Sequence, residues 1–188
     1  WAFKYTIVMH HVLAGIFMFM FLGTWRLHPL ARATGAISFA ISSFMISQTD
    51  YFIPSLGWVP LILYFYHRSL VHLSYSHATL GGVAIAFAFC QGDLQTTFGL
   101  AFLLLMYAAI LRKGLRGDIA TRDYYRFVWK SYALMGVIAI LLSSVQLFPA
   151  IQALIHSNRG AGLSLAESAE KSLPLFRLKE FVHYARYA

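Results

Sequence analysis

The chain has 188 residues, of which 59% are hydrophobic and 16% aromatic, while only 12% are charged. An ordinary soluble domain carries about 25% charged residues, so this composition excludes a water-soluble globule. The formal charge of +8 is carried between long apolar runs, and we interpret it as information on membrane topology and expect no nucleic-acid partner. The single cysteine, Cys90, excludes a disulfide framework within the chain and a cysteine-based metal cluster.

Long apolar runs recur along the chain, and a helix that crosses a hydrocarbon layer of about 30 Å needs about 20 such residues. The predicted crossings, in chain order, are residues 5–23, 33–48, 51–66, 73–90, 95–111 and 131–148, the last closed by Pro149. Pro54 and Pro60 predict that the third is short, kinked or partly re-entrant. The sequence thus predicts an all-α, polytopic transmembrane helical bundle of about six membrane segments over residues 1–149, in contact with the lipid bilayer.

Basic residues alternate between the predicted loops. The loop after the first segment, the loop after the third and the loop at residues 112–130 are all basic, whereas positions 49–50 and 91–94 contain no basic residue and one acid each. Cytoplasmic loops are enriched in Lys and Arg, so the basic loops are predicted to face the cytoplasm. Four rings at the basic ends are predicted to lie in the headgroup zone: Trp25, Tyr124, Tyr125 and Trp129.

The remaining residues, 150–188, are predicted to form an extracytoplasmic segment. Ser164 and Glu167 have capping-box spacing, which predicts a short helix that ends before Pro174. Because the chain opens at Trp1 without a methionine and stops shortly after a charged stretch, we interpret it as a truncated, internal piece of a larger protein.

The predicted topology places four polar residues on one outer face: Asp50, Asp93, Arg159 and Glu167. A carboxylate there can act as a general base toward an acceptor hydroxyl, and an arginine can clamp a phosphate in bidentate fashion. These residues therefore suit transfer chemistry on a phosphate-linked substrate. Structural roles are the alternative, with both aspartates and Glu167 as helix caps and Arg159 as a snorkelling interface residue.

The eight histidines favour a second interpretation, since paired imidazoles from membrane helices can ligate haem iron. His10 and His11 are predicted near the outer end of the first helix, and the other candidates near the cytoplasmic side: His28, His67, His72 and His77. A haem-binding electron carrier therefore needs a pair from the second group. A transporter or flippase, with a broken helix at Pro54 and Pro60 lining a path, is the third interpretation.

Small residues predict close helix packing in two places, at residues 33–43 and around Gly81 and Gly82.

The order of segments resembles the YfhO-type bacterial membrane proteins of the GT-C glycosyltransferase superfamily. The likeness covers nearly the whole chain and rests on stretches 11–18, 40–45, 57–63, 92–96, 145–149, 157–160 and 172–174. Residues 92–96, Gly-Asp-Leu-Gln-Thr here, are similar to the family's Gly-His-Pro-Gln-Thr turn. Asp93 and Leu94 replace its histidine and proline, and Gln152 stands where an acid often follows the Gln-Leu-x-Pro motif.

The resemblance implies a GT-C-like fold in the bacterial cell membrane. It implies that the intact protein moves a sugar from a polyprenyl-phosphate carrier to an extracytoplasmic acceptor such as a cell-envelope glycopolymer. Gln95 and Gln146, within the matched motifs, and Arg159 are the predicted substrate-binding residues. The catalytic candidates, Asp50, Asp93 and Glu167, come from the predicted outer-face topology, and the replacement of the family's turn histidine by Asp93 weakens any role taken from the family at that position. GT-C enzymes typically carry their catalytic acid in the first outer loop, and this chain is predicted to begin after it. No cofactor and no metal-ligating residue are predicted, and the sequence leaves a requirement for a divalent metal open.

Overall fold

The computed structural model describes residues 2–42, 45–46, 53–92, 94–114 and 120–156. These ranges contain helices and no strand, which confirms the all-α prediction for the described chain. Six helices have defined bounds: α1 (Ala2–Gly23), α2 (Pro29–Ala40), α3 (Ile53–His72), α4 (Tyr75–Phe89), α5 (Leu94–Gly114) and α6 (Thr121–Ile155).

Three of these helices contain segments long and apolar enough to cross a membrane: Tyr5–Gly23, Thr96–Gly114 and Thr121–Ala153. Their outward faces carry large apolar side chains, such as Phe98 and Phe102 on α5 and Leu141 and Val145 on α6, each at least two-thirds exposed. Extended apolar surface of this kind marks contact with lipid or with another protein. The chain is a membrane protein on this evidence, although three such helices do not confirm the six predicted crossings.

Helix α2 differs from the predicted crossing at residues 33–48. It begins at Pro29, where the His28 side chain accepts a hydrogen bond from the Leu30 N–H, and it ends at Ala40. Proline is favoured at the first helical position because its missing N–H would have no partner there in any case. Twelve residues span about 18 Å, which is short of a hydrocarbon layer.

Helix α3 is longer than the predicted segment 51–66. It runs without interruption over 20 residues from Ile53 to His72 and includes Pro60. The segment is therefore not short, and the kinked and partly re-entrant alternatives stay predictions. A proline removes one backbone hydrogen bond and leaves the rest of the helix able to form.

Helix α6 contradicts two boundaries of the sequence prediction. Residues 121–130, predicted as part of a loop, form its first three turns, with Asp123 near the positive N-terminal end of the helix dipole. Pro149 does not close it, because the helix continues to Ile155.

Consecutive helices run in opposite directions. Gly35 packs on Leu22 and Gly15 on Ala40, so α1 and α2 are antiparallel. Contacts of α3 with α1 and with the turn after α1 follow the chain in the same order, with Phe17 against Trp58 and Trp25 against His67. Helices α1 and α3 are therefore parallel.

The same alternation continues through α6. The ring of Trp58 near the start of α3 stacks on Phe87 near the end of α4, so these helices are antiparallel. His67 near the end of α3 contacts Tyr107 near the end of α5, so these two helices run in the same direction. The hydroxyls of Tyr124 and Tyr132 on α6 donate to the carbonyls of Ala108 and Ala101 on α5, so α5 and α6 are antiparallel.

The predicted packing role of the small residues is confirmed. A Cβ atom on Gly82 would lie 2.9 Å from the Met135 carbonyl oxygen of α6, and one on Gly35 would lie 2.6 Å from Leu22. These glycines therefore let neighbouring helices approach closely. The main core lies among α3, α4, α5 and α6, and its fully buried side chains include Ile62, Tyr66, Leu104 and Met135.

The chain divides into two compact units, Trp1–Val145 and Gln146–Ala188. The second is described only through His156, where the last turns of α6 are exposed. The predicted capping box at Ser164 and Glu167, and the helix end before Pro174, lie outside the described residues.

Candidate functional site

The alternating helices give the first unit two ends of different chemistry. The aspartate end comprises the start of α3, the turn at Cys90–Gly92 and the start of α5. Gly92 adopts a φ of 89° in that turn, a conformation open to glycine because it has no Cβ. The basic end comprises the α1–α2 turn, the α3–α4 turn, the end of α5 and the start of α6, where the described arginines cluster.

Most of the predicted site residues lie outside the described residues: Asp50, Asp93, Arg159 and Glu167. Position 93 falls between the Gly92 turn and the first residue of α5, and position 50 precedes α3 by three residues. Gln95 belongs to the first turn of α5, and the Gln146 side chain is exposed on α6. The structure thus brings together the helix ends that flank both aspartates, and their catalytic roles stay predictions.

The basic end contains a partly buried polar contact between α3 and α5. The Nδ1 atom of His67 lies 2.7 Å from the Tyr107 hydroxyl, and the His67 ring lies 5.4 Å from the ring of Trp25 in the turn after α1. Burial lowers the pKa of His67 below its ordinary value of 6.5, and the nearby charges of His72 and Arg68 act in the same direction. His67 is therefore held as a neutral imidazole near pH 7.

The aromatic residues predicted at the headgroup zone divide into two groups. Trp25, Trp129 and Tyr125 are exposed, at 47%, 59% and 38%. Tyr124 is fully buried, and its hydroxyl donates a hydrogen bond to the Ala108 carbonyl at 3.0 Å. Tyr124 thus packs on the side of α6 that contacts α5, and its predicted position in the headgroup zone stays a prediction.

Two further histidines meet where α3 turns into α4. The rings of His72 and His77 lie 6.1 Å apart with their planes at 33°, and His77 Nδ1 lies 3.0 Å from Ser74 Oγ. His10 lies at the opposite end of the bundle, near Gly57 at the start of α3. This position agrees with the predicted separation of His10 and His11 from the histidines at the basic end. Within the described ranges no three His, Cys, Asp or Glu side chains are grouped to hold a metal ion.

An apolar groove of about 500 Å³ runs between α1 and α2. From His11 to Met20 on α1 it extends over about 14 Å. Arg32 lies beside it toward the basic end, with its guanidinium 3.9 Å from the Phe19 ring centroid and Nε donating to the Phe19 carbonyl at 3.2 Å. The groove has the shape and chemistry to hold one hydrocarbon chain.

Sequence reasoning found the histidines at the basic end and missed the partners that fix them. Tyr107 is 40 positions from His67, and neither lies in a recognisable motif. A signal was nevertheless present, since both residues stand near the end of predicted segments that run in the same direction.

Searches against protein-family models, curated proteins and solved structures found no match to this chain.

Proposed function

We propose that this chain is the membrane-embedded part of a glycosyltransferase that moves a sugar from a polyprenyl-phosphate carrier to an acceptor outside the cytoplasm, such as a cell-envelope glycopolymer. The proposal rests first on the resemblance to YfhO-type proteins, whose motifs occur here in the same order. It fits the apolar faces of α1, α5 and α6, which suit a protein that works on a lipid-linked substrate within the cell membrane.

The alternation of helix directions is the observation that carries the proposal. It puts the start of α3 and the Cys90–Gly92 turn at one end of the first unit, opposite to the arginine-rich turns. By the positive-inside rule the arginine-rich end faces the cytoplasm. In this proposal the carboxylates of Asp50, Asp93 and Glu167 serve to orient or deprotonate the acceptor hydroxyl, and Arg159 serves to hold the carrier phosphate or a sugar-phosphate leaving group. Gln95 and Gln146 stay candidates for substrate binding.

In this proposal the groove between α1 and α2 binds the isoprenoid chain of the carrier. Apart from His11, its lining is apolar, and the His11 Nδ1 is already engaged by the Ile7 carbonyl at 2.9 Å. A hydrocarbon chain in this groove would therefore contact apolar side chains along most of its length.

The transporter interpretation requires a discontinuous helix that lines the substrate path. Helix α3, which carries the two prolines that suggested such a break, is continuous from Ile53 to His72. The structure therefore adds no support for that alternative.

The test is sugar transfer by the full-length protein in membranes. Asp50→Ala, Asp93→Ala and Arg159→Ala should each lower turnover by about 10²-fold or more, as expected for loss of an acid–base or phosphate-binding group, while folded protein is retained. Asp123→Ala is the matched control, because this carboxylate lies at the basic end beside Arg126, at 3.8 Å. Unchanged rates for all three variants would remove these residues from the site.

A further inference from the structure

A small group of nitrogen donors surrounds the turn between α3 and α4 at the basic end. Arg68 and His72 are four residues apart on α3 and so share one face of the helix. His77 lies in the first turn of α4, with its ring 6.1 Å from that of His72. We refer to Arg68, His72 and His77 as the Arg68 cluster.

The turn that carries this cluster is fixed by its own hydrogen bonds. The Ser74 N–H donates to the Ser69 carbonyl at 3.0 Å, and the buried Ser69 hydroxyl donates back to the Ser74 carbonyl at 3.0 Å. Between them Leu73 adopts a φ of 48°, which is uncommon for a residue with a branched side chain and is sustained by the surrounding contacts. The two histidines are thus held in place before any ligand arrives.

Donors remain unused within the cluster. Arg68 donates from Nη1 to the Tyr64 hydroxyl at 3.3 Å, while its buried Nε has no acceptor in the described part of the chain. His77 Nδ1 is occupied by Ser74, so when Ser74 donates to it the opposite nitrogen, Nε2, carries the proton. His72 is exposed beside them, and its ring supplies another N–H.

Among the residues that the structure describes, no carboxylate pairs with the cluster. Asp123 is the one carboxylate among the residues that the structure describes, and it lies 3.8 Å from Arg126. Arg68 and His72 lower the pKa of His77, after the larger effect of burial. An anion bound between these groups would relieve that repulsion.

We propose that Arg68, His72 and His77 form a phosphate-binding site at the basic end of the α3–α4 hairpin. The guanidinium supplies the permanent charge and a planar pair of donors, and the imidazoles supply single N–H groups from the adjoining helix, a combination suited to phosphate oxygens. The phosphate is that of an anionic lipid headgroup or a free phosphate ion. The site is separate from the aspartate end and does not rest on the proposed transfer reaction.

The experiment uses the purified full chain in detergent and measures retained lipid by native mass spectrometry. Phosphatidic acid is compared with phosphatidylcholine, and inorganic phosphate is titrated separately by calorimetry. Arg68→Gln should weaken phosphatidic acid binding about tenfold or more, as expected for loss of a charge-assisted hydrogen bond. Lys113→Gln removes an exposed charge at the end of α5. This control should change the affinity for phosphatidic acid by less than about threefold.

A second variant separates loss of binding from loss of folding. Arg68 is half-buried, so its substitution can also destabilise the fold, whereas His72 is exposed. His72→Ala should weaken binding while leaving the thermal unfolding midpoint unchanged. Binding of both ligands would show that the phosphate group alone suffices, and binding of phosphatidic acid alone would assign the site to a lipid headgroup. Equal losses in Arg68→Gln and Lys113→Gln, or no binding of either ligand, would overturn the proposal.

Discussion

Trp58 of α3 stacks on Phe87 of α4, with ring centroids 5.0 Å apart and planes 11° from parallel. Trp58 lies five residues after the start of its helix, and Phe87 two residues before the end of the next. This contact fixes the α3–α4 hairpin so that the approach to α3 and the turn after α4 share one end. The proposed outer site depends on that relationship.

The close approach of α4 and α6 predicts that Gly82 tolerates no side chain. Gly82→Ala would place a Cβ 2.9 Å from the Met135 carbonyl oxygen and 3.0 Å from the Ile138 Cβ. Because backbone and a branched side chain cannot move aside easily, we expect a loss of about 1–3 kcal/mol in the free energy of unfolding. Tryptophan fluorescence followed during unfolding in detergent measures this change in the free energy of unfolding.

Gly136→Ala is the matched control, since nothing lies within 4 Å of a Cβ at that position of α6. Alanine is favoured over glycine in a helix by about 1 kcal/mol, so this variant should be neutral or slightly more stable. Equal destabilisation by both substitutions would contradict the packing assigned to Gly82.

The contact between Tyr107 and His67 predicts a moderate stability effect. Tyr107→Phe keeps the ring and removes the hydroxyl that lies 2.7 Å from His67 Nδ1. Loss of this hydrogen bond should cost about 0.5–1.5 kcal/mol. A double-mutant cycle with His67→Gln isolates the pairwise term, and Tyr125→Phe, on an exposed side chain, serves as the control. A coupling energy of zero would show that the pair adds nothing to stability.

The state of His67 predicts a pH dependence of stability. Its pKa in the folded protein is lowered below 6.5, first by burial and then by His72 and Arg68. The unfolded chain therefore takes up a proton before the folded one does, and stability should fall as the pH decreases below about 6.5. Unfolding measured at pH 7.5 and pH 5.5 detects the difference.

His67→Gln should reduce that loss, whereas His156→Gln, at an exposed position after α6, should leave it unchanged. A pH dependence identical in all three proteins would assign the effect to other groups.

The helical architecture was predictable because long apolar runs and basic turns leave strong signals. The positions of α1 and α5 match the predicted segments within a few residues. Helix ends were less predictable. Helix α6 continues past Pro149. Residues 121–130 are also helical, although their charges suggested a loop. A charged stretch can belong either to a loop or to a helix that extends beyond the apolar layer, and its composition does not distinguish the two.

The candidate site shows a similar division. Sequence placed His67, His72 and His77 together near the basic turns, since topology alone determines the end of the bundle to which a residue belongs. The Tyr107 partner of His67 and the pairing of His72 with His77 depend on helix rotation and on the Leu73 turn. Side-chain contacts of that kind are set by tertiary packing, which single-sequence patterns do not encode.

Accessibility of the native cysteine tests the sidedness most directly. Cys90 is exposed at the end of α4, beside the Gly92 turn. In intact cells a membrane-impermeant maleimide should label Cys90, whereas Lys113→Cys in a Cys90→Ser background should react only after the membrane is opened. Labelling of position 113 in intact cells with Cys90 protected until permeabilisation would place the aspartate end in the cytoplasm and contradict the proposed outer site.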